Sequence, residues 1–196
     1  GDIVNNGEND DEWREFYDAV GWIPRSIPMI LLPGNHEYKK TAGVSEGLTY
    51  LWRPQFTFPE NGPAGLNELK EASYFIDYQG ALFVTLNGNE RLEEQAKWLK
   101  KVLADNPRKW TIVSIHQPFY STAGNRDNPY HKMLFTDIFD KYGVDLVLQG
   151  HDHTYGRTHR VFKDKKRKDK GSVYVVTVTG PKQYKPSELY KDLMAK

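Results

Sequence analysis

Apolar residues along the chain follow two spacings. Trp13, Phe16, Tyr17 and Val20 recur at helical intervals and predict a helix over residues 10–22, opened by Asp10 or Asp11. Leu92, Ala96, Leu99 and Leu103 form a single stripe, which predicts a helix over 91–104. Lys132 to Tyr142 reads as a third helix. Short apolar runs predict strands instead. One ends at Ile3-Val4, and another spans Met29 to Leu32 and stops at Pro33-Gly34. Trp110 to Ile115 and Val144 to Leu148 are two more. Ser73 to Tyr78 and Ala81 to Leu86 flank Gln79-Gly80, a hairpin signature. Arg157 to Phe162 and Ser172 to Thr179 read as strands joined by a basic turn. Residues 39–70, rich in Gly, Pro and Asn, read as a loop-rich excursion over one edge of the site.

The resulting order is β-α-β, a hairpin, α-β-α-β and a closing hairpin, which is an α/β domain with mixed sheets. Its 196 residues suffice for one domain with a real core. Lys+Arg 27 against Asp+Glu 26 gives no reason to expect a polyanion-binding surface, so no nucleic-acid partner is expected. The basic run from Lys163 to Lys170 is interrupted by Asp164 and Asp169 and reads as a solvated hairpin tip. No apolar run approaches the length needed to span a membrane. The absence of Cys excludes a disulfide framework and a cysteine nucleophile within the chain. The chain opens directly on a motif, so an upstream segment is expected to be missing.

Four segments place a metal-capable side chain just after a predicted strand. They are Gly1-Asp2, Gly34-Asn35-His36-Glu37, His116-Gln117-Pro118 and Gly150-His151-Asp152-His153. In an extended segment, His151 and His153 point to the same side. They would face one cluster, each serving the same ion or a different one. Gly150 lets the backbone approach closely. This mixture of nitrogen and oxygen donors suits Zn, Mn or Fe rather than Ca, and no thiolate is present. His131 begins a helix and His159 alternates along a strand, so both read as hydrogen-bonded structural residues.

Gly34-Asn35-His36-Glu37, the strand before His116, and Gly150-His151-Asp152-His153 resemble three blocks of the calcineurin-like metallophosphoesterases, and Gly1-Asp2 resembles a fourth. Three stretches are similar to the purple acid phosphatase branch: SIHQPFY from Ser114, QGHDHTYGRT from Gln149 and QAKWL from Gln95. The resemblance runs from Gly1 to about Pro181. It implies a four-layer α-β-β-α sandwich of two mixed sheets, N-terminally truncated, with residues 1–196 as its catalytic domain. It also implies roles. Asp2 would bridge two metals; Asn35, His116 and His151 would bind the second and His153 the first. His36 would stand over the substrate phosphate, stabilising charge or protonating the leaving oxygen, with Glu37 at most orienting it.

The chain departs from that pattern in three places. The Asp-x-His block expected on a strand before Gly1 is absent, which leaves the first metal only Asp2 and His153. One ion or none is therefore expected here, against two (Fe, Zn or Mn) in the intact protein. Asn5 stands where purple acid phosphatases carry a Tyr on ferric iron, so neither a purple colour nor an obligatory ferric ion is expected. The loop after the third block reads Thr122-Ala123-Gly124-Asn125-Arg126, and its Arg126 is a candidate phosphate contact. The implied reaction is hydrolysis of small phosphate monoesters by a metal-bridging hydroxide. Phosphodiester hydrolysis, or an inactive binding module with a partial metal site, are the alternatives. The resemblance further implies export, to the periplasm or outside the cell. The sequence sets no oligomeric state.

Overall fold

The computed structural model describes residues 1–178 and 180–195. An irregular opening leads into α1 (Asp10–Val20). Asn9 caps this helix rather than either following aspartate: its side chain accepts from the Asp11 N–H at 3.2 Å, satisfying an orphan donor of the first turn. A short α2 (Ile23–Ser26) follows. The hairpin of β1 (Tyr38–Thr41) and β2 (Val44–Leu48) and then α3 (Trp52–Gln55) fill the stretch expected to be loop-rich. Next come β3 (Tyr74–Tyr78), β4 (Ala81–Leu86), α4 (Leu92–Ala104), β5 (Trp110–Ile115), α5 (Pro129–Tyr142) and β6 (Leu146–Gln149). The chain closes with β7 (Gly156–Arg157), β8 (Arg160–Phe162), β9 (Lys165–Arg167) and β10 (Val173–Val176).

One six-stranded sheet in the order β3-β4-β5-β6-β10-β7 forms the centre. Strands β4, β5, β6 and β10 run parallel, while β3 and β7 lie antiparallel at the two edges. The β3–β4 turn puts Gln79 at φ 49 and Gly80 at φ 82, the paired positive values of a tight two-residue hairpin. Helices α4 and α5 are the crossovers of the parallel strands and bury their apolar faces on the sheet. Leu99 and Leu103 of α4 and Phe135 and Phe139 of α5 pack with Val84, Val113, Ile115 and Val147 in one cluster. Leu99 is fully buried there, so Leu99→Ala is expected to lower stability by about 2–5 kcal/mol through lost transfer energy and the cavity left behind. Urea denaturation checks this; a loss below about 1 kcal/mol would mean that α4 is not seated on the sheet in this way. A second cluster, centred on Trp13, Trp52 and Phe56, fastens α1 and α3 to the opening segment through Val4.

Several elements differ from the sequence reading. Ile3-Val4 and Met29–Leu32 form no strands. Backbone donors of the first segment go to a side chain, Glu37, instead of a ladder. In the second, the Leu31 carbonyl accepts from Tyr74 Oη at 2.6 Å and Ile30 stays 37% exposed. The expected second large sheet is therefore not assembled among the described residues, where only the β1–β2 and β8–β9 ribbons accompany the mixed sheet. The α/β fold with a large mixed sheet stands. Helix α5 starts at Pro129 rather than Lys132, because proline suits the first helical position. Val144 closes that helix, its N–H bonding to the Phe139 carbonyl at 3.0 Å, so β6 begins only at Leu146. The basic run is partly strand: Lys165–Arg167 pair with β8, and Asp164 is tied to Tyr120 Oη at 2.8 Å and Lys132 Nζ at 3.0 Å. The closing strand ends at Val176, and the expected end at Thr179 lies outside the described residues.

Candidate metal centre

The parallel strands β5 and β6 deliver His116 and His151 to the same end of the sheet, the carboxyl end where ligands of open α/β sheets bind. The Gly150 N–H donates to the His116 carbonyl at 3.0 Å and locks the two strand ends together.

Asp2 arrives from a different direction and is held by Glu37. This carboxylate is fully buried. One oxygen accepts from the N–H groups of Ile3 (2.5 Å) and Val4 (3.2 Å), the other from those of Asp2 (2.8 Å) and Gly34 (2.6 Å). Glu37 thus shapes the turn that carries Asp2, where the backbone sits at φ 54, and no bond to the His36 side chain is made. Charge-assisted bonds of this kind are stronger than neutral ones, which makes one buried side chain sufficient to fix four backbone groups. Asp2 Oδ1 accepts from the His36 N–H at 3.0 Å, and Oδ2 lies 2.9 Å from His116 Nε2.

His151 Nδ1 lies 3.2 Å from the same His116 nitrogen, with the two rings edge to face at 5.0 Å. Asp2, His116 and His151 each offer one ligand atom, and these atoms all lie within 4.8 Å of one another. Gly34 makes this possible: a Cβ there would collide with Asp2 Oδ1 and approach His116 Cε1 to 2.9 Å. Burial raises the affinity of the Asp2 carboxyl for its proton, but the bonds from His116 and the His36 N–H outweigh it and hold the group below the usual carboxylate range. Burial lowers His116, against the pull of Asp2. Burial, then the His116 and Arg126 charges, lowers His151 to about 4. At neutral pH the trio is a carboxylate and two neutral imidazoles, the forms that bind metals. Asn35 Oδ1 and His116 Nδ1 are both buried with no hydrogen-bond partner. A buried oxygen acceptor left without a partner, on the residue between Gly34 and His36, is consistent with a cation ligand.

The remaining candidates sit around this core. His36 donates from Nδ1 to the Asn5 carbonyl at 2.5 Å, which leaves Nε2 as its second nitrogen. His153 does not join the cluster. The segment from Gly150 is not extended: the Asp152 N–H folds back onto the Gly150 carbonyl at 2.7 Å and His151 adopts φ 64. The two imidazoles consequently diverge. His153 packs on Tyr184 at 4.7 Å and donates from Nδ1 to the Lys182 carbonyl at 3.2 Å. Arg126 donates from Nε to Asp152 Oδ1 at 2.9 Å and places a terminal nitrogen against His151 Nε2. Asp152 is buried and also accepts from Ser121 Oγ at 2.6 Å.

Sequence reasoning missed a supporting layer. Asn89 donates to the Gly34 carbonyl at 3.2 Å and accepts from Gln117 at 3.0 Å, while Asn87 Oδ1 accepts from the Asn89 N–H at 3.1 Å. These residues follow β4, so the signal that marked the other segments, polar side chains just after a strand, was present here too. His131 donates from Nε2 to the Gly88 carbonyl at 2.7 Å.

Known proteins similar to this chain were found by sequence and by fold. Purple acid phosphatase 15 of Arabidopsis thaliana is 31% identical over 178 residues, covering 87% of this chain and 32% of the relative. Acid phosphatase type 7 of Mus musculus is 28% identical over 192 residues, covering 83% of this chain and 40% of the relative. The chain therefore spans less than half the length of these curated relatives. The structure of a purple acid phosphatase from yellow lupin (Lupinus luteus) seeds superposes with a TM-score of 0.76 at 22% identity, over 90% of this chain and 35% of that one, and so shares the fold. The family model described as calcineurin-like phosphoesterase matches residues 1–155, and with four-fifths of its length so matched the chain belongs to that family of metal-dependent phosphoesterases.

Proposed function

We propose that residues 1–196 form the catalytic domain of a phosphatase that hydrolyses phosphate monoesters with the help of bound metal ions. The observation that supports this most directly is the convergence of Asp2, His116 and His151, with Asn35, whose buried Oδ1 has no hydrogen-bond partner, next in sequence to the Gly34 and His36 that contact Asp2. In this reading Asp2, Asn35, His116 and His151 hold one ion, of Zn, Mn or Fe. Asp2 and His153 contribute to a second, for which this chain offers fewer donors. Ions in such a site supply Lewis acidity toward phosphoryl oxygens and lower the pKa of bound water to about 7.

The chain's own residues do the rest. Asp2 is kept ionised and immobile, its backbone pinned by Glu37 and one carboxylate oxygen by the His36 N–H. His36 is oriented through its Nδ1–H, which leaves the Nε2 lone pair to take up a proton from solvent and pass it to the leaving oxygen. Arg126 is aimed by Asp152 toward the edge of the cluster, where its guanidinium suits a phosphate oxygen. His36→Ala is expected to lower turnover of an aryl phosphate by about 10²- to 10⁴-fold with metal content unchanged. Unchanged turnover would remove His36 from the chemistry. Comparison with an aryl phosphodiester decides between the monoesterase and diesterase readings, and no metal-dependent turnover of either leaves a binding module. Export is inferred from resemblance, and fractionation of the producing cells tests it. No helix among the described residues is long and apolar enough to cross a membrane.

A further inference from the structure

Beside the cluster, on the side of His151 and His153, lies an open pocket of about 470 Å³ lined by Gly124, Asn125, Arg126, Tyr184 and Lys185. None of its lining residues is acidic. Tyr184 lines it and carries two cations on its ring, Arg126 at 5.0 Å and Lys182 at 5.2 Å. The Tyr184 N–H donates to the His153 carbonyl at 2.8 Å, so the pocket wall is fastened directly to the metal-capable segment. Among the described residues, Asp152 is the one carboxylate that pairs with this group of cations. It occupies only the Arg126 Nε and is buried behind it, so it neutralises neither lysine. The wall formed by Lys182, Tyr184 and Lys185 lies beyond residues 1–155, the part of the chain that the family model matches.

We propose that this pocket is a second-anion subsite, which favours phosphate esters carrying another phosphate a few bonds from the one cleaved. The inference rests on the phosphatase reading for its first phosphate position. Arg126 stands between the two positions: one terminal nitrogen meets His151, and its guanidinium carbon lies 5.0 Å from the Tyr184 ring centroid. A second phosphate at the pocket mouth, beside the rim of that ring, would meet the exposed ammonium groups of Lys182 and Lys185, neither of which is in a salt bridge among the described residues. Both lysines are exposed, so their contribution is modest and salt-dependent rather than large.

Calorimetric titration of the zinc-loaded chain with methylphosphonate and with propane-1,3-bisphosphonate tests this without requiring turnover. The bisphosphonate is expected to bind about three- to tenfold more tightly at low ionic strength, with the difference shrinking as salt is added. In the doubly substituted Lys182→Gln, Lys185→Gln chain the difference is expected to close while methylphosphonate affinity holds. Equal affinities in the unsubstituted chain, or a difference that survives the double substitution, would overturn the subsite. If methylphosphonate fails to bind, the phosphatase reading is what suffers. The subsite is then judged on the bisphosphonate alone, supported by binding that the double substitution removes and overturned by no binding.

Discussion

Glu37→Ala is expected to cost the metal-free chain about 3–5 kcal/mol of stability and to weaken zinc binding by about 100-fold. The reasoning starts from four backbone N–H groups, those of Asp2, Ile3, Val4 and Gly34, which share one fully buried carboxylate. An orphaned buried donor costs about 1–3 kcal/mol, and water entering the new cavity recovers part of the sum. The Asp2 turn, at φ 54, has no other side chain holding those amides, so its carboxylate loses the position from which it meets His116. Urea denaturation followed by tryptophan fluorescence reads the first effect, and a chelator competition reads the second. Glu37→Gln keeps one acceptor oxygen and should fall between the two proteins. If the Ala variant kept both stability and affinity, the turn would have to be organised by something other than this carboxylate.

Gly34→Ala is the second large effect, and it separates packing from hydrogen bonding. The added methyl would run into Asp2 Oδ1, come within 2.5 Å of the Asp2 backbone nitrogen and lie 2.9 Å from His116 Cε1. Neither neighbour can yield cheaply. The Asp2 backbone is bound to Glu37, and His116 is 2% exposed. Overpacking a rigid site costs about 1–3 kcal/mol, and the displacement falls on two of the three clustered side chains. Zinc affinity should therefore drop by about 10- to 100-fold, more than the stability loss alone would suggest. An unaltered affinity would show that the Asp2–His116 contact is dispensable for holding an ion.

These two residues also show what kind of information a sequence carries. Gly34 and Glu37 sit in one short block with Asn35 and His36, so the block was visible as a candidate site, and its strand-end position pointed to metal chemistry. The partner of Glu37 was not visible. It lies more than thirty positions upstream in sequence, in a segment whose own pattern suggested a strand. Local propensity says that Ile3-Val4 prefers an extended backbone; it says nothing about whether a strand or a carboxylate takes its donors.

The helices and central strands were legible for the opposite reason. Leu92, Ala96, Leu99 and Leu103 repeat with the period of the helix they form, and Trp110–Ile115 is a short run rich in aromatic and β-branched residues, which suits the strand set between two parallel neighbours. Such signals are local, because burial on one face is imposed residue by residue. The reading that put His151 and His153 on the same side assumed an extended backbone, which the structure does not have there. A turn closed by the Asp152 N–H sends one ring to His116 and the other to Tyr184, and the period-two rule then no longer applies.

By itself, then, the sequence determined the helices α1, α4 and α5 and the strands β3 to β6, four candidate metal-capable segments, the nitrogen and oxygen character of their donors, and the family those segments resemble. Only the tertiary structure decided which donors meet. It joined Asp2 to His116 and His151, gave Glu37 the backbone of the Asp2 turn, tied Arg126 to Asp152, and set Lys182 and Lys185 around Tyr184. The physical reason is that chemistry and periodicity belong to single residues and short windows. Proximity between distant segments arises only when the sheet orders its strands and each buried polar group finds a partner.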